Sequence, residues 1–493
     1  MTTGTLAPKS TMFEGLLSRW RGLPEGLTLV AYAALLAYAI PRHEPWADEA
    51  QSWQLARSVP VPRLFSHYLR EEGSPGLWHL LLAVLAKLHV SYAGLHWFSG
   101  LVALLGVSLL IFLAPFPRSI RLTLPFTFFL AFQYAVVARS YVLTPILLFG
   151  LAIVWRRSPI LVALLLGLLG NVALHVLAIS VGFAIVYVIE IWRGDRKQED
   201  GRRLLMAASI LVIFYGFALW TVLPRPSDLS YLLQFQEHRG LFDKVKAWLL
   251  TSILSICLGV ITPVILALPL WILFIVRFAR EGCAFYLLPI ATFALFSGKF
   301  VNFWHTGLVV PAVIAICWIA WTEIRQPQIW SALTVGIACF IALQLAWTIY
   351  AVRYHPYSSA PETARFLAPH VAAGESIALT YVERDEMNAY HSVAVAPYFD
   401  RPVFVNQPSP FWLWRTRENT FDQFKETMAE KPRMVLATFF DFHRFDPAHD
   451  LVGPRMELLE KNGYRLTHTF CAEMPQGFGW REENCDLIFE HPL

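Results

Sequence analysis

Long apolar runs separated by short polar turns fill the chain from Leu27 to Tyr350. Most of these runs approach the roughly 20 apolar residues that an α-helix needs to cross a bilayer. They lack the strict alternation of apolar and polar positions that marks a half-buried strand. The pattern predicts a multi-pass α-helical membrane protein.

The number of spans depends on the stretch from residue 76 to residue 90. This stretch is short for a span and contains His79, Lys87 and His89, so we interpret it as a helix that lies in the membrane interface. Eleven helices then cross the membrane, and nearly every short basic turn falls on one side, which the positive-inside rule makes cytoplasmic. Counting 76–90 as a span would move three basic turns outside, namely Arg118/Arg121, Arg156/Arg157 and residues 193–203.

In this topology the third span ends at Arg139, and the eighth lies between Lys246 and Arg277. An alternative concerns the first apolar run, which ends in a small-residue sequence at 37–39 that a signal peptidase accepts. Cleavage there would leave the following external segment close to a loose N-terminus.

After residue 353 the pattern changes, and no spanning run follows. Short β-like runs alternate with helical segments, so we expect a small α/β domain. No glycine-rich phosphate loop follows these strands, and nucleotide binding is not predicted. The predicted organisation is a cytoplasmic N-terminus (1–25), a membrane domain (26–352) whose first external loop is 42–93, and an extracytoplasmic α/β domain (353–493).

Composition agrees with this picture. Only 15% of the residues are charged, whereas soluble domains carry about 25%. The net charge of +4 comes from basic residues in turns between apolar runs, so it reflects topology and predicts no nucleic-acid partner. Cys471 and Cys485 lie in the polar C-terminal part, where an oxidising compartment would allow a disulfide; two unpaired thiols are the alternative.

The strongest chemical signal is the acidic pair Asp48-Glu49, which stands shortly after the first apolar run. A carboxylate in this position can act as a general base, and we expect Asp48 to take this role. Glu49 would position the acceptor, hold Asp48 or join a metal site. The alternative is that both acids only stabilise the start of a helix at 47–57.

Further polar residues fall on the same predicted side of the membrane. Arg139 stands between two apolar runs, where an unpaired arginine is costly and a phosphate is a suitable partner; a snorkelling side chain is the alternative. The sequence shows no close spacing of histidine, cysteine and glutamate typical of a metal site. Whether the protein binds a divalent metal is left open. The other members of this set are His67, Glu71, Glu72, His79, Tyr141, His175, Lys299 and His305.

Four short segments resemble the GT-C membrane glycosyltransferases, closest to the protein O-mannosyltransferase-like and aminoarabinose-transferase-like enzymes. The segment 46–50 (WADEA) is similar to the catalytic Asp-Glu motif of that family. The segment 73–80 (GSPGLWHL) resembles its proline-containing approach to an interfacial helix. The segments 138–143 (ARSYVL) and 174–176 (LHV) resemble its second and third external loops.

The resemblance implies transfer of a sugar from a polyprenyl-phosphate carrier to a lipid, glycan or protein acceptor, on the periplasmic side of a bacterial inner membrane. It implies that Asp48 is the base, helped by Glu49, and that the anomeric carbon is inverted. Gln51 stands where some relatives carry an arginine, and a single Pro75 stands where many have two, so the sugar and the acceptor stay open. The residues expected to bind the donor phosphate are Arg139, Tyr141, Lys299 and His305, and those expected to bind substrate are Glu72, His79 and His175.

Two other functions compete with transfer. A transporter or flippase for a lipid-linked or anionic solute would place its charges near the bilayer midplane, whereas here they gather at helix ends. A non-catalytic protein of envelope-glycan assembly would use the C-terminal domain for docking. An accessible Asp48 in a cleft shared with Arg139 favours the transferase, and an Asp48 fixed in a surface helix cap favours the assembly protein.

Overall fold

The structure is a computed structural model, and it describes residues 22–72, 74–194, 200–223, 240–259, 264–323, 329–382, 386–412, 419–441, 443–475 and 481–492. Three features of the sequence analysis lie outside these residues: the basic N-terminal leader, the centre of the loop 193–203 and the polar segment after Leu223. The side chain of Glu71 also lies outside the described part.

Helices form most of the chain, as the apolar pattern predicts. We number the α-helices of eight or more residues in chain order. They are α1 Leu23–Ala39, α2 Ala47–Ser58, α3 Leu77–Lys87, α4 Tyr92–Leu113, α5 Leu143–Val154, α6 Pro159–Gly170, α7 Leu174–Trp192, α8 Gly201–Val222, α9 Leu241–Leu258, α10 Val264–Arg280, α11 Leu288–Ser297, α12 Val309–Ile319, α13 Ile329–Tyr354, α14 Ala360–Ala373, α15 Phe421–Ala429 and α16 Pro454–Lys461.

Within the described residues, four helices are long and apolar enough to cross a membrane. They are Leu23–Arg42, Tyr92–Leu113, Leu174–Trp192 and Gly201–Val222. The predicted interfacial helix, α3, has 11 residues, too few to cross a bilayer. A membrane protein is thus supported, but the helix lengths do not support the count of eleven spans.

Breaks in the helices account for the difference. The expected third span is a series of short pieces: an α-helix at Arg118–Thr123, a 3₁₀ turn at Leu124–Phe126 and a π-helical turn at Phe129–Gln133. The expected eighth span is divided between α9 and α10. Residues 128–138 are all buried, and irregular backbone at membrane depth is tolerated where protein covers it.

Turns that the sequence analysis places together on one side do meet. The guanidinium groups of Arg118 and Arg121 donate to one carboxylate oxygen of Glu25, at 2.8 and 3.2 Å. Arg156 pairs with Glu323 at 2.8 Å. These contacts join the start of α1 to the turn after α4, and the turn after α5 to the turn after α12.

The C-terminal part contains a four-stranded sheet, so the predicted α/β character is present. The strands are β1 Ile377–Tyr381, β2 Met434–Asp441, β3 Arg465–Pro475 and β4 Arg481–Glu490, in the order β1-β2-β4-β3. β1 and β2 are parallel, and the other pairs are antiparallel. The apolar side chains of α15 and α16, including Phe424, Met428, Met456 and Leu459, pack against the sheet.

Cys471 and Cys485 face each other on β3 and β4 and are joined by a disulfide, which is the pairing that the sequence predicts. The bond closes a loop with a sequence separation of 14. In the chain-entropy model such a loop stabilises the fold by about 3 kcal/mol.

We therefore expect the double variant Cys471→Ser, Cys485→Ser to lower the free energy of unfolding of the C-terminal part by about 3 kcal/mol. Denaturant titration with tryptophan fluorescence, with and without reductant, measures this loss. The variant Cys317→Ser is the control. It retains the disulfide, so reductant should still lower its free energy of unfolding. A double variant as stable as the oxidised parent would contradict the prediction.

Candidate functional site

Helix α2 begins at Ala47 and directs its two acids to different surroundings. Successive residues of an α-helix point roughly 100° apart. Asp48 therefore faces a partly exposed cleft, while the side chain of Glu49 is completely buried. Glu49 also caps the helix, because its carboxylate accepts the backbone N–H of Trp46 at 3.1 Å. The expected helix-start role thus applies to Glu49, within a helix most of whose residues are buried.

The Glu49 carboxylate is surrounded by nitrogen atoms. Its Oε2 lies 2.9 Å from Nε2 of His43, and its Oε1 lies 3.1 Å from Nε2 of His96. Oε1 also accepts the backbone N–H of Ala138 at 2.6 Å. Burial raises the pKa of Glu49, but the charge and hydrogen bonds of His43, then those of His96, outweigh it and hold that pKa well below its ordinary value.

Glu49 consequently links the two segments that carry the site. One carboxylate oxygen fixes the start of α2, and the other fixes the backbone immediately before Arg139. The irregular third span makes this possible, because the Ala138 N–H has no helical partner four residues back and is available to a side chain. Glu49 is a positioning residue for the pair formed by Asp48 and Arg139.

Asp48 contacts two groups from distant parts of the chain. One carboxylate oxygen forms an ion pair with the Arg139 guanidinium, and the other accepts the hydroxyl of Tyr390 at 2.6 Å. The side chains of Asp48 and Arg139 remain 17% and 22% exposed, so a ligand can reach both. Tyr390 belongs to a 3₁₀ segment, Glu386–Tyr398, which packs on α2.

A row of aromatic and imidazole rings continues from Arg139. Its guanidinium lies 6.0 Å from the ring centre of Tyr141, and the Tyr141 ring lies edge-on to His305 at 5.6 Å. His305 stacks on His175, with ring centres 3.9 Å apart and an angle of 16° between the planes. The structure thus brings together five of the residues expected at the site: Asp48, Arg139, Tyr141, His175 and His305.

His305 and His175 are buried, and backbone groups engage both. Nδ1 of His305 accepts the N–H of Asn302 at 2.9 Å, so its proton is on Nε2 when the ring is neutral. Nε2 of His175 lies 2.8 Å from the carbonyl oxygen of Phe300. These bonds suit a rigid wall better than a mobile phosphate ligand. Lys299 is exposed beside this wall, so its charge is available to an anion.

The other predicted substrate residues take different positions. Glu72 accepts a hydrogen bond from Gln51 at 2.7 Å, and Gln51 also exchanges two hydrogen bonds of 2.8 Å with the backbone of Trp412. His79 is buried under α2, and neither of its ring nitrogens has a hydrogen-bond partner in the described part of the chain. Glu72 therefore helps to hold Gln51, which joins α2 to the backbone of Trp412, and the burial of His79 does not favour substrate contact.

The sequence analysis did not identify His43, His96, Gln51 and Tyr390 as parts of the site. His43 stands six residues before Glu49, so its proximity in the chain was a usable signal. His96 lies in the apolar run of α4, and Tyr390 lies more than 340 residues after Asp48. Ligand atoms of His43, Glu49 and His96 lie within 4.8 Å of one another, close enough to share a metal ion.

Chemically, the site combines an accessible carboxylate, a cation in contact with it and a phenol that donates to it. The carboxylate can accept a proton, and the guanidinium can bind an anionic group. No protein-family model matches the chain, and no curated protein matches it.

Proposed function

We propose that this protein is a membrane glycosyltransferase that moves a sugar from a polyprenyl-phosphate carrier to an extracytoplasmic acceptor. The observation that carries the proposal is the direct contact between Asp48 and Arg139 at the mouth of an apolar helical domain. The candidate base and the candidate phosphate ligand are thus adjacent. A sugar phosphate bound there would place its anomeric carbon between them.

In the proposed reaction Asp48 removes the proton of an acceptor hydroxyl while that oxygen attacks the anomeric carbon. The new glycosidic C–O bond forms as the bond between the anomeric carbon and the carrier phosphate oxygen breaks. The polyprenyl phosphate leaves with the electron pair of the broken bond, and its negative charge is stabilised by Arg139. Attack from the face opposite to the leaving phosphate inverts the anomeric carbon.

Asp48 pairs with the guanidinium that we expect the donor phosphate to bind. A donor phosphate competes for the guanidinium and accepts its paired N–H groups. Loss of this cation from Asp48 raises the proton affinity of the carboxylate, because a nearby positive charge favours the ionised form. Donor binding would thereby make Asp48 a stronger base.

The proposed function also requires a particular membrane topology. We propose that eleven segments cross the membrane, several of them as interrupted or short helices, with α3 in the interface. The site, the four-stranded sheet and the disulfide then face the periplasm, where the disulfide persists. A lipid-linked donor reaches the site from the outer leaflet, and its phosphate lies at headgroup depth beside Arg139 and Lys299.

Purified protein in detergent micelles tests the proposal directly. It is incubated with the polyprenyl-lipid extract and the envelope fraction of its source cells, and mass spectrometry follows the lipid-linked sugars. Transfer predicts the loss of one lipid-linked sugar and the appearance of the same sugar on an acceptor. A transporter cannot give this result in micelles, because they contain no second compartment. Unchanged donor in the presence of every envelope fraction would overturn the proposal.

Arg139→Lys is expected to lower kcat/KM for the donor by about 10–100-fold, because lysine retains the charge but cannot form paired hydrogen bonds to a phosphate. Initial rates against donor concentration measure the effect. Arg57→Lys is the matched control, since Arg57 lies exposed at the other end of α2. Equal rates for the two variants would exclude Arg139 from donor binding.

Tyr390→Phe is expected to move the acid limb of the pH–rate profile to higher pH. The Tyr390 hydroxyl donates to Asp48, and a donor to a carboxylate favours its charged form. Without this bond Asp48 protonates more readily, so activity falls first at low pH and is retained at high pH. Tyr398→Phe, in the same 3₁₀ segment, should leave the profile in place. A Tyr390→Phe profile that matches the parent would contradict the role.

A further inference from the structure

A neutral His96 ring cannot donate a hydrogen bond to both of its neighbours. Its Nδ1 lies 3.1 Å from the carbonyl oxygen of Tyr92, and its Nε2 lies 3.1 Å from Oε1 of Glu49. Both neighbours are acceptors, whereas a neutral imidazole carries one N–H. Either the ring is an imidazolium, or a cation lies between Nε2 and the carboxylate.

The backbone contact of His96 is the one expected of a metal ligand. A histidine that binds a metal through one nitrogen almost always donates its other N–H to a carbonyl or carboxylate, which fixes the tautomer and the ring orientation. Nδ1 of His96 has such a partner in the Tyr92 carbonyl. Nε2 is thereby left with a lone pair directed at the Glu49 side chain.

His43 and Glu49 complete a set of three ligands. Nε2 of His43 lies 2.9 Å from Oε2 of Glu49, and the ligand atoms of all three residues lie within 4.8 Å of one another. Tetrahedral zinc with ligands at its usual bond lengths separates neighbouring ligand atoms by ~3.3 Å. Each histidine Nε2 lies close to this edge length from one Glu49 oxygen, His43 at 2.9 Å from Oε2 and His96 at 3.1 Å from Oε1.

The surroundings also suit a bound metal. The three side chains are buried, and the Trp46 and Ala138 N–H groups hold the carboxylate in a single orientation. Two histidines and one glutamate are a ligand set found in zinc sites that keep a fourth position for water. Among the described residues, Nδ1 of His43 is buried without a hydrogen-bond partner.

We propose that His43, Glu49 and His96 bind one divalent transition-metal ion of the zinc class. The three ligands come from the turn after α1, from α2 and from α4. The metal therefore ties the start of α2, and with it the position of Asp48, to the apolar helical domain. Asp48 does not take part in the ligand set, so the metal site does not rest on the proposed transfer activity.

Metal analysis of the purified protein tests the proposal. The full chain is produced with a tag that lacks histidine, purified in detergent without chelator and analysed by inductively coupled plasma mass spectrometry. One equivalent of zinc per chain is expected. The protein is then stripped with a chelator and titrated with Co²⁺, which should give the visible absorption bands of a tetrahedral site.

Three variants sharpen the test. His96→Asn should weaken Co²⁺ binding by more than about 100-fold, because loss of a direct ligand exceeds the effect of losing an outer-shell partner. His89→Asn is the matched control: His89 is exposed at the end of α3, and asparagine suits its positive φ of 57°. Asp48→Asn should bind Co²⁺ like the parent, even if it is inactive.

The parent protein alone decides the outcome if a variant fails to fold. Sub-stoichiometric metal after purification, together with no tetrahedral Co²⁺ spectrum on titration, overturns the proposal and leaves His96 as an imidazolium. Stoichiometric metal that the His96→Asn variant retains would also overturn it, because the ion then lies elsewhere.

Discussion

Asp48→Asn is expected to lower the transfer rate by about 10²–10⁴-fold, which is the contribution of a positioned general base. Asparagine has the same shape and keeps an oxygen that can accept the Tyr390 hydroxyl, but it cannot take up the proton of the acceptor. Donor binding should persist, because Arg139 is released from its ion pair with Asp48. The effect therefore falls on kcat, with little change in KM for the donor.

Glu44→Gln provides the matched control for this prediction. Glu44 lies four residues before Asp48, is partly buried and accepts the backbone N–H of Tyr357 at 3.0 Å, which glutamine can also do. Its variant should retain the parental rate. Size-exclusion chromatography and thermal unfolding in detergent verify that both variants fold. Full activity in folded Asp48→Asn would remove Asp48 from the mechanism and favour the transporter or the assembly protein.

The largest loss of stability is expected for Glu49→Ala. The substitution leaves two buried imidazoles and the N–H groups of Trp46 and Ala138 without their acceptor. Removing one partner of a buried charged cluster costs about 3–5 kcal/mol. Denaturation in mixed micelles measures the change in the free energy of unfolding. Activity should fall as well, because the Ala138 backbone loses its bond to Glu49 and no longer positions Arg139 next to Asp48.

Two comparisons separate this effect from a general loss of packing. Glu44→Ala removes a partly exposed carboxylate with one backbone donor, so its cost should stay near 1 kcal/mol. If chelation of the parent protein reproduces part of the Glu49→Ala loss, that part belongs to the bound metal. A Glu49→Ala protein as stable as Glu44→Ala would show that the buried cluster contributes little.

The pH dependence of stability follows from the lowered pKa of Glu49. Its carboxylate stabilises the fold fully above the pKa of glutamate in the unfolded chain, about 4.3. This contribution is lost as the pH falls through the lower pKa of the folded state. In the protein stripped of metal, the ionised Glu49 carboxylate should therefore keep its full stabilising effect between neutral pH and pH 5. Its loss begins only in stronger acid.

Several parts of the site could be anticipated from the chain alone. The acidic pair stands out because it follows an apolar run closely, and Arg139 stands out because two apolar runs enclose it. The disulfide between Cys471 and Cys485 could be predicted in the same way, since only these two cysteines lie in the polar C-terminal part. Each of these signals is local, and no distant contact is needed to recognise it.

Other assignments required the tertiary structure. His79 has the same local setting as a site histidine, yet it is buried under α2 without a polar partner in the described residues. The third span is broken into short pieces, which leaves the Ala138 N–H free of a helical partner and able to donate to Glu49. Local propensity does not encode such a bond, because the two groups are 89 residues apart.

The sequence by itself determined the apolar helical domain, the sheet-containing C-terminal part and the acidic pair at a helix start, because hydrophobic periodicity and charge placement are properties of short windows. Only the tertiary structure decided that Asp48 faces Arg139 and Tyr390 while Glu49 is enclosed by His43 and His96. Neighbouring carboxylates are chemically alike in the chain. Burial and partners distinguish them, and these come from segments that meet only when the chain folds.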